Sequence, residues 1–374
     1  MLGRRACAQG WRSGMAWVVV VISVVAGGAG AWLPRMGVGQ TMPAATKPVE
    51  SDGKEGAKTV YVGVYVNAIR SVDLKANAFA LDFWVWFRWK MESPATVPAG
   101  TANPGAGENA VPLPPAFDPL ETFEIINGTV DAKESVLHDV IETPEGKFHY
   151  VSARCAATIT KFFDISRFPL DAHTLALNIE DAEREELRLV YVADQENTGL
   201  SPEVKVPGWD IRGMRTRIAS NRYETNYGNI SLPTGNASVY SRFGFEVDLV
   251  RPGAGYFFKL FWSLFLATVI ALLAFLIDPI DLDPRFGLGV GAIFAAIASA
   301  YVISSALPES NQYTLADKMN MLAVGVIFTS ILQSVVSLRL WKSGQEGKSK
   351  LLDKVCFYTM LPGYALASSV ITMM

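Results

Sequence analysis

Two rhythms divide the chain. Between about residues 58 and 252 apolar and polar residues alternate in short runs, and from Tyr256 onward apolar residues come in long unbroken spans. The first rhythm belongs to strands with one buried face. It runs through KTVYVGVYVNAI, FALDFWVWFRW, KFHYVSARCAATI, HTLALNI, LRLVYVA, GWDIRGMRTRI and VYSRFGFEVDLV, with turn residues between them. Many short strands and no convincing helix predict an all-β, immunoglobulin-like sandwich. Within FALDFWVWFRW, Phe83, Val85, Phe87 and Trp89 share one face, and Trp84, Trp86 and Arg88 share the other. Two indoles and a guanidinium opposite the core are unusual for a solvated surface, and imply contact with a ligand or another subunit.

The second rhythm predicts four helices, at about 256–277, 284–307, 317–340 and 351–374. Each is long enough for a bilayer core of roughly 30 Å. Lys259 sits near the outer end of the first, where it can snorkel. Pro362-Gly363 should kink or loosen the fourth. The second span differs from the rest. From Phe286 to Leu307 it has no charge, yet it is rich in Gly, Ala and Ser rather than Leu. Gly287, Gly291, Ala295 and Ser299 follow a small-xxx-small spacing suited to close helix approach. The preceding Asp283-Pro284 fits a helix N-cap and first position.

Arg339, Lys342, Lys348, Lys350 and Lys354 all fall in the third-to-fourth link, which marks it as cytoplasmic. The β domain and the C-terminus are then extracellular or periplasmic. The N-terminus agrees: Arg4, Arg5 and Arg12 precede an apolar run from Met15 to Ala26, and small residues end at Ala29-Gly30-Ala31. That layout predicts a signal peptide over 1–31. A first membrane helix is the alternative, and either one exports the β domain. Residues 32–57 read as a disordered lead-in, and 92–119 as an inserted Pro/Ala/Gly-rich loop. The expected organisation is therefore 1–31 signal, 32–57 lead-in, 58–252 sandwich and 253–374 transmembrane, in a multi-pass protein of the inner (plasma) membrane.

Charge and chemistry-bearing residues narrow the function classes. A net charge of −3 gives a nucleic-acid partner no support. Cys155 is alone in the exported domain, so no disulfide is possible within it, and a packed thiol is expected. His138, His149 and His173 are scattered without metal-ligand spacing. No nucleophile elbow, phosphate loop or paired catalytic carboxylates stand out. Neither an enzyme nor a cofactor or metal is expected.

Several stretches, in order, carry a resemblance. YVNAIRSVDLKANAFALDFWVWFRW looks like two strands with their joining loop, and KFFDISRFPLDAHTL like a signature loop with Phe168, Pro169 and Asp171 at its centre. GWDI at 208–211, FEVDLVRP ending at Arg251, and ALPES at 306–310 complete the set. Together they resemble the pentameric ligand-gated ion channels, the Cys-loop receptor family, in its bacterial branch, over about residues 59–374. The chain departs from animal members in three places. Lys161 and Leu175 stand where those place two cysteines, Ala182 where many have a ligand-binding Trp, and Ile126 where many have Tyr.

The resemblance implies a homopentamer in a lipid bilayer, with the second span around a central pore. Its pore face would be Asp283, Gly287, Gly291, Phe294, Ala298, Tyr301 and Ser305. Phe294 would be the main gate, with Tyr301 above it. A ring of Asp283, helped by Asp278 and Asp281 and opposed by Arg285, would favour monovalent cations. A small-molecule ligand of unknown identity would bind between subunits beneath the hairpin NRYETNYGNISLPTGNASVY. Tyr223 and Tyr227, with Glu180 and Asp181, would come from one side, and Trp84 and Trp86 from the neighbour. Two acids with aromatics suit a cation, whereas Arg222 and Arg88 suit an anion. The run EDAEREE could hold Ca²⁺ or form a solvated turn. Asp171 and Arg251 match a pair that couples the domains, with Pro169 in the same loop and Asp73 a second acid. The competing reading is a membrane-anchored periplasmic sensing or binding protein without channel activity.

Overall fold

The computed structural model describes residues 57–91, 117–225, 227–228 and 237–373. The expected signal, nearly all of the lead-in, most of the 92–119 insertion and much of the hairpin tip lie outside them. The chain forms two compact units. One holds the strands. The other holds residues 164–171 and everything from Arg251 onward.

The strand unit contains two sheets. A six-stranded sheet runs β4 (Gly128–Thr143), β5 (Gly146–Thr160), β2 (Ala78–Lys90), β1 (Lys58–Asp73), β7 (Leu189–Ala193), with β8 (Gly199–Leu200) also paired to β1. A four-stranded sheet runs β3 (Phe123–Ile125), β6 (Ala172–Asp181), β10 (Ser238–Val250), β9 (Asp210–Tyr223). Pairing is antiparallel except where β7 and β8 lie parallel to β1. Period-two alternation builds the core between the sheets. Val60, Val62, Val64 and Val66 of β1 and Phe83, Val85, Phe87 and Trp89 of β2 are buried from one sheet. Leu175, Leu177 and Ile179 of β6 and Phe243, Phe245, Val247 and Leu249 of β10 are buried from the other. The Phe87 and Phe123 rings meet across the sheets at 5.6 Å. Each such side chain contributes about 1.5–3 kcal/mol by leaving water. Cys155 is packed in this core, where burial pushes its thiol up to about 11.

Two elements were not expected. The strand β4 has polar residues on both faces because it is an edge, with one neighbour and little core to cover. A single helical turn, Pro119–Thr122, closes the 92–119 region: Asp118 caps it by accepting from Leu120 N at 2.8 Å, with Pro119 at its first position.

Among the described residues, the other unit has four helices long and apolar enough to cross a membrane. They are α1 (Gly253–Leu273, extended by a 3₁₀ turn Ala274–Leu276), α2 (Leu282–Ser305), α3 (Leu315–Lys342) and α4 (Glu346–Met373). Thr314 and Asp317 form a reciprocal capping box at the start of α3. Helix α4 continues through Pro362, where a kink or loosening was expected. The cap of α2 also differs from expectation. Asp281, not Asp283, is its N-cap residue and makes no side-chain capping bond, and Asp283 lies inside the first turn. There its carboxylate suits the positive end of the helix dipole.

Candidate functional site

Helix α2 has two opposite faces. Arg285, Gly289, Ala292, Ala296, Ser299 and Ile303 are buried. At 100° per residue they fall within about 40° of one line along the helix. Asp283, Gly287, Gly291, Phe294, Ala298, Tyr301 and Ser305 are all exposed in the single chain. They lie about 160–240° round from that line, directly opposite. Phe294 is 69% exposed and Tyr301 74%, two of the largest apolar side chains left uncovered.

The small-residue stripe is not one packing ridge. Ser299 is buried, whereas Gly287, Gly291 and Ala295 are exposed. A Cβ at Gly287 or Gly291 would meet nothing within 4 Å. The close approach is at Gly289, where a Cβ would stand 2.6 Å from Ile331 of α3. Its position on the buried line was the available signal.

Arg285 does not face outward beside Asp283. It is fully buried, with Nε and Nη2 donating to the Ile277 carbonyl at 3.1 and 2.5 Å. Nη2 also meets Asp353 Oδ2 of α4 at 2.6 Å, and Gln333 Nε2 of α3 donates to Asp353 Oδ1 at 2.7 Å. Two residues along a helix turn a side chain by about 200°, which is why Asp283 and Arg285 part company.

On the four-stranded sheet, Glu180, Tyr223 and Tyr227 do come together, around a residue that sequence reading passed over. Arg242 of β10 donates through Nε to Glu180 Oε1 at 2.5 Å and through Nη2 to the Tyr223 hydroxyl at 3.0 Å. The Tyr223 hydroxyl donates to Glu180 Oε2 at 3.0 Å. The Tyr227 and Tyr240 rings stand 6.2 and 5.8 Å from that of Tyr223. Burial, and then the Glu180 carboxylate, push the Tyr223 phenol up. Arg242 shares the outward face of β10 with Tyr240, and that alternation was the missed signal.

Neither acid of the expected pair is free to meet a ligand cation. Glu180 is held by Arg242. Asp181 accepts from Thr122 Oγ1 at 2.6 Å and from the Glu183 and Arg184 amides at 3.0 and 2.7 Å. The rest of the acid run is also tied to its own chain: Glu185 accepts from Ser238 at 2.9 Å and Glu186 from Ser220 at 2.6 Å.

Trp84 and Trp86 lie on the other sheet and, within one chain, do not join this cluster. Both are partly buried on the face opposite the core. Trp86 lies over Gly63, where a Cβ would come within 2.2 Å of its ring, and its Nε1 donates to Asp194 Oδ2 at 3.0 Å. Only glycine leaves room for the indole there.

The loop 164–171 leaves β5 and returns to β6 in sequence but belongs to the helical unit. Its Ser166 and Phe168 carbonyls accept from the first amides of α3, Leu315 N at 2.9 Å and Ala316 N at 3.2 Å. Pro169 is buried in it. Arg251 Nε donates to Asp171 Oδ1 at 2.6 Å, with both side chains almost wholly buried. The guanidinium also covers the Phe168 and Tyr256 rings at 5.0 and 4.9 Å. Asp73, in the strand unit, holds its own turn by accepting from Ala76 N at 3.0 Å.

No family model matches the chain. Two curated proteins do. A proton-gated ion channel from Gloeobacter violaceus is 20% identical over 344 residues, covering 92% of this chain and 88% of that one. A pH-sensitive chloride channel from Anopheles gambiae is 22% identical over 313 residues, covering 81% of this chain but 49% of its own length. Both alignments are long enough to take in strands and helices together. The chain thus resembles two channels over its strands and helices alike, in line with the family likeness its motifs carry. With four membrane-spanning helices after a β-rich domain, as in the Gloeobacter violaceus relative, it is a multi-pass membrane protein with an extracellular N-terminal domain.

Proposed function

We propose that five copies of this chain form a gated ion channel whose pore is lined by the exposed face of α2. One observation carries the reading: Asp283, Gly287, Gly291, Phe294, Ala298, Tyr301 and Ser305 form a single uncovered line opposite the face that packs on the chain's other helices. A five-fold ring closes such a heterologous contact. Small residues at the Asp283 end give a wide inner mouth. Phe294, and Tyr301 beyond it, supply apolar rings able to close the pore by dewetting. Asp283 favours cations at that mouth. One relative is a chloride channel, so the family likeness does not fix the sign of the permeant ion, and the cation assignment rests on Asp283 alone.

The stimulus acts on the strand unit. A small molecule meeting Tyr223 and Tyr227, with Trp84 and Trp86 of a neighbouring copy, is one form of it. Arg242 already fills the space between Glu180 and Tyr223 with an internal cation, which disfavours a cationic ligand there. That occupancy, with relatives described as proton-gated and pH-sensitive, supports protons as a second candidate stimulus. The Asp171–Arg251 pair keeps the 164–171 loop on the helices, so that loop carries the signal along the covalent chain, with Pro169 stiffening it. Asp73 acts in the same coupling from the strand side.

Purified protein in liposomes tests all of this. A detergent mass of five copies and ion flux evoked by a pH step or a ligand screen are expected. Phe294→Ser should open at a weaker stimulus than the parent. Protein of any other stoichiometry that passes no ions under either stimulus would instead be a membrane-anchored binding protein.

A further inference from the structure

We infer that Asp353 of α4 determines the charge selectivity of the inner pore mouth, acting through Arg285. The inference rests on the reading that α2 lines the pore. Arg285 sits two residues from Asp283 on the same helix, so the backbones of the two are separated by about 3 Å of rise. A cation so placed, repeated in five copies, would oppose the Asp283 ring and raise the local concentration of anions. Its side chain is completely buried, where solvent screens its field least. What cancels it is Asp353, at 2.6 Å, itself 5% exposed and oriented by Gln333.

The source of that carboxylate is the unexpected part. Helix α4 packs along α3 and α1, and it supplies none of the α2 face assigned to the pore. It reaches the inner end of α2 through this side chain. Ion preference at the mouth is then decided by a helix away from the ions. Among the other charges nearby, Asp278 and Lys350 are a solvent-exposed pair at 3.7 Å that offset each other, while the exposed Asp281 adds to the negative side. Asp353 is a positioning and charge-compensating residue, since it does not touch the ion.

The test is the cation-to-anion permeability ratio, from reversal potentials across a salt gradient in bilayers containing the full-length channel. Asp353→Asn keeps the shape and a hydrogen-bond acceptor but leaves Arg285 uncompensated, and the ratio should fall about three- to tenfold. Gln333→Lys adds a positive charge to the same cluster while keeping Asp353, and should shift the ratio in the same direction. It remains informative if the first variant does not assemble. The double variant Arg285→Gln with Asp353→Asn makes the cluster neutral again and should return the ratio to within about twofold of the parent. A purely structural pair predicts otherwise: the double variant would stay as disturbed as the single. An unchanged ratio in conducting Asp353→Asn or Gln333→Lys channels, or a double variant shifted as far as the single, overturns the inference and leaves the channel reading standing. A parent protein that passes no ions overturns both.

Discussion

The two units are built inside out relative to each other. In the strand unit valines and aromatics fill the interior, and its buried acids Asp82, Glu180 and Asp181 are few and each is held by hydrogen bonds. In the helical unit Thr268, Arg285, Ser330, Gln333, Ser334, Ser337, Ser349 and Asp353 are buried, while Trp262, Leu266, Phe294, Val302, Phe328 and Leu366 are exposed. The reason is the solvent each one meets. Water rewards the strand unit for hiding apolar surface. Lipid is as apolar as leucine, so it gives helices no comparable drive to associate. Small residues, internal hydroxyl bonds and a few buried ion pairs hold the helices instead. The lesson is that paired charges fasten both units, but only the strand unit also draws stability from hiding a large apolar core from water.

Substitutions can break or sharpen that contrast. The largest effect is expected from Asp171→Asn or Arg251→Gln, which breaks a buried ion pair and should cost about 3–5 kcal/mol in detergent unfolding. Exchanging the two residues should recover part of the loss, and a swap no better than the single changes would remove the pair from the account. Next comes overpacking. Gly289→Val drives new atoms into Ile331 and should cost about 1–3 kcal/mol, while Gly291→Ala, facing open space, should not destabilise the dispersed chain. Equal losses at the two positions would contradict the assignment of faces.

The strand unit offers a pH test. Arg154, and then Arg70 and Asn67, hold the Asp82 carboxyl at about 2, against an ordinary value of 3.8. A depressed acid stabilises the fold fully above its unfolded value and ceases to do so as pH falls through the folded one. Asp82 should therefore contribute about 1–2 kcal/mol above pH 4 that is lost towards pH 2, and Asp82→Asn should flatten that acid limb. An unaltered limb in the variant would discard the explanation. The smallest effect is expected at Trp86→Phe. It keeps the ring over Gly63 but loses the bond to Asp194, at about 0.5–1.5 kcal/mol, read by thermal unfolding.

Much of this was legible in the residues. FALDFWVWFRW alternates cleanly because both its strand neighbours exist and one face is fully buried. The four spans are plain because a bilayer demands long apolar runs. What escaped did so for physical reasons. GTVDAKESVLHDVIET makes a strand at an edge, where period two carries no apolar signal. Arg242 meets Glu180 and Tyr223 together only after three strands are aligned. Arg285 looked like a pore-mouth charge because sequence proximity to Asp283 hides the half-turn that separates them.

The hold of residues 164–171 on α3 has a practical corollary for protein engineering. Starting a fragment at Arg251 would not yield a self-sufficient membrane part. The fragment would begin its third helix with two amide groups stripped of the carbonyls of residues 166 and 168, and its Arg251 would be parted from Asp171. A chimera that grafts a foreign receptor head onto these helices should therefore import this eight-residue hook along with them.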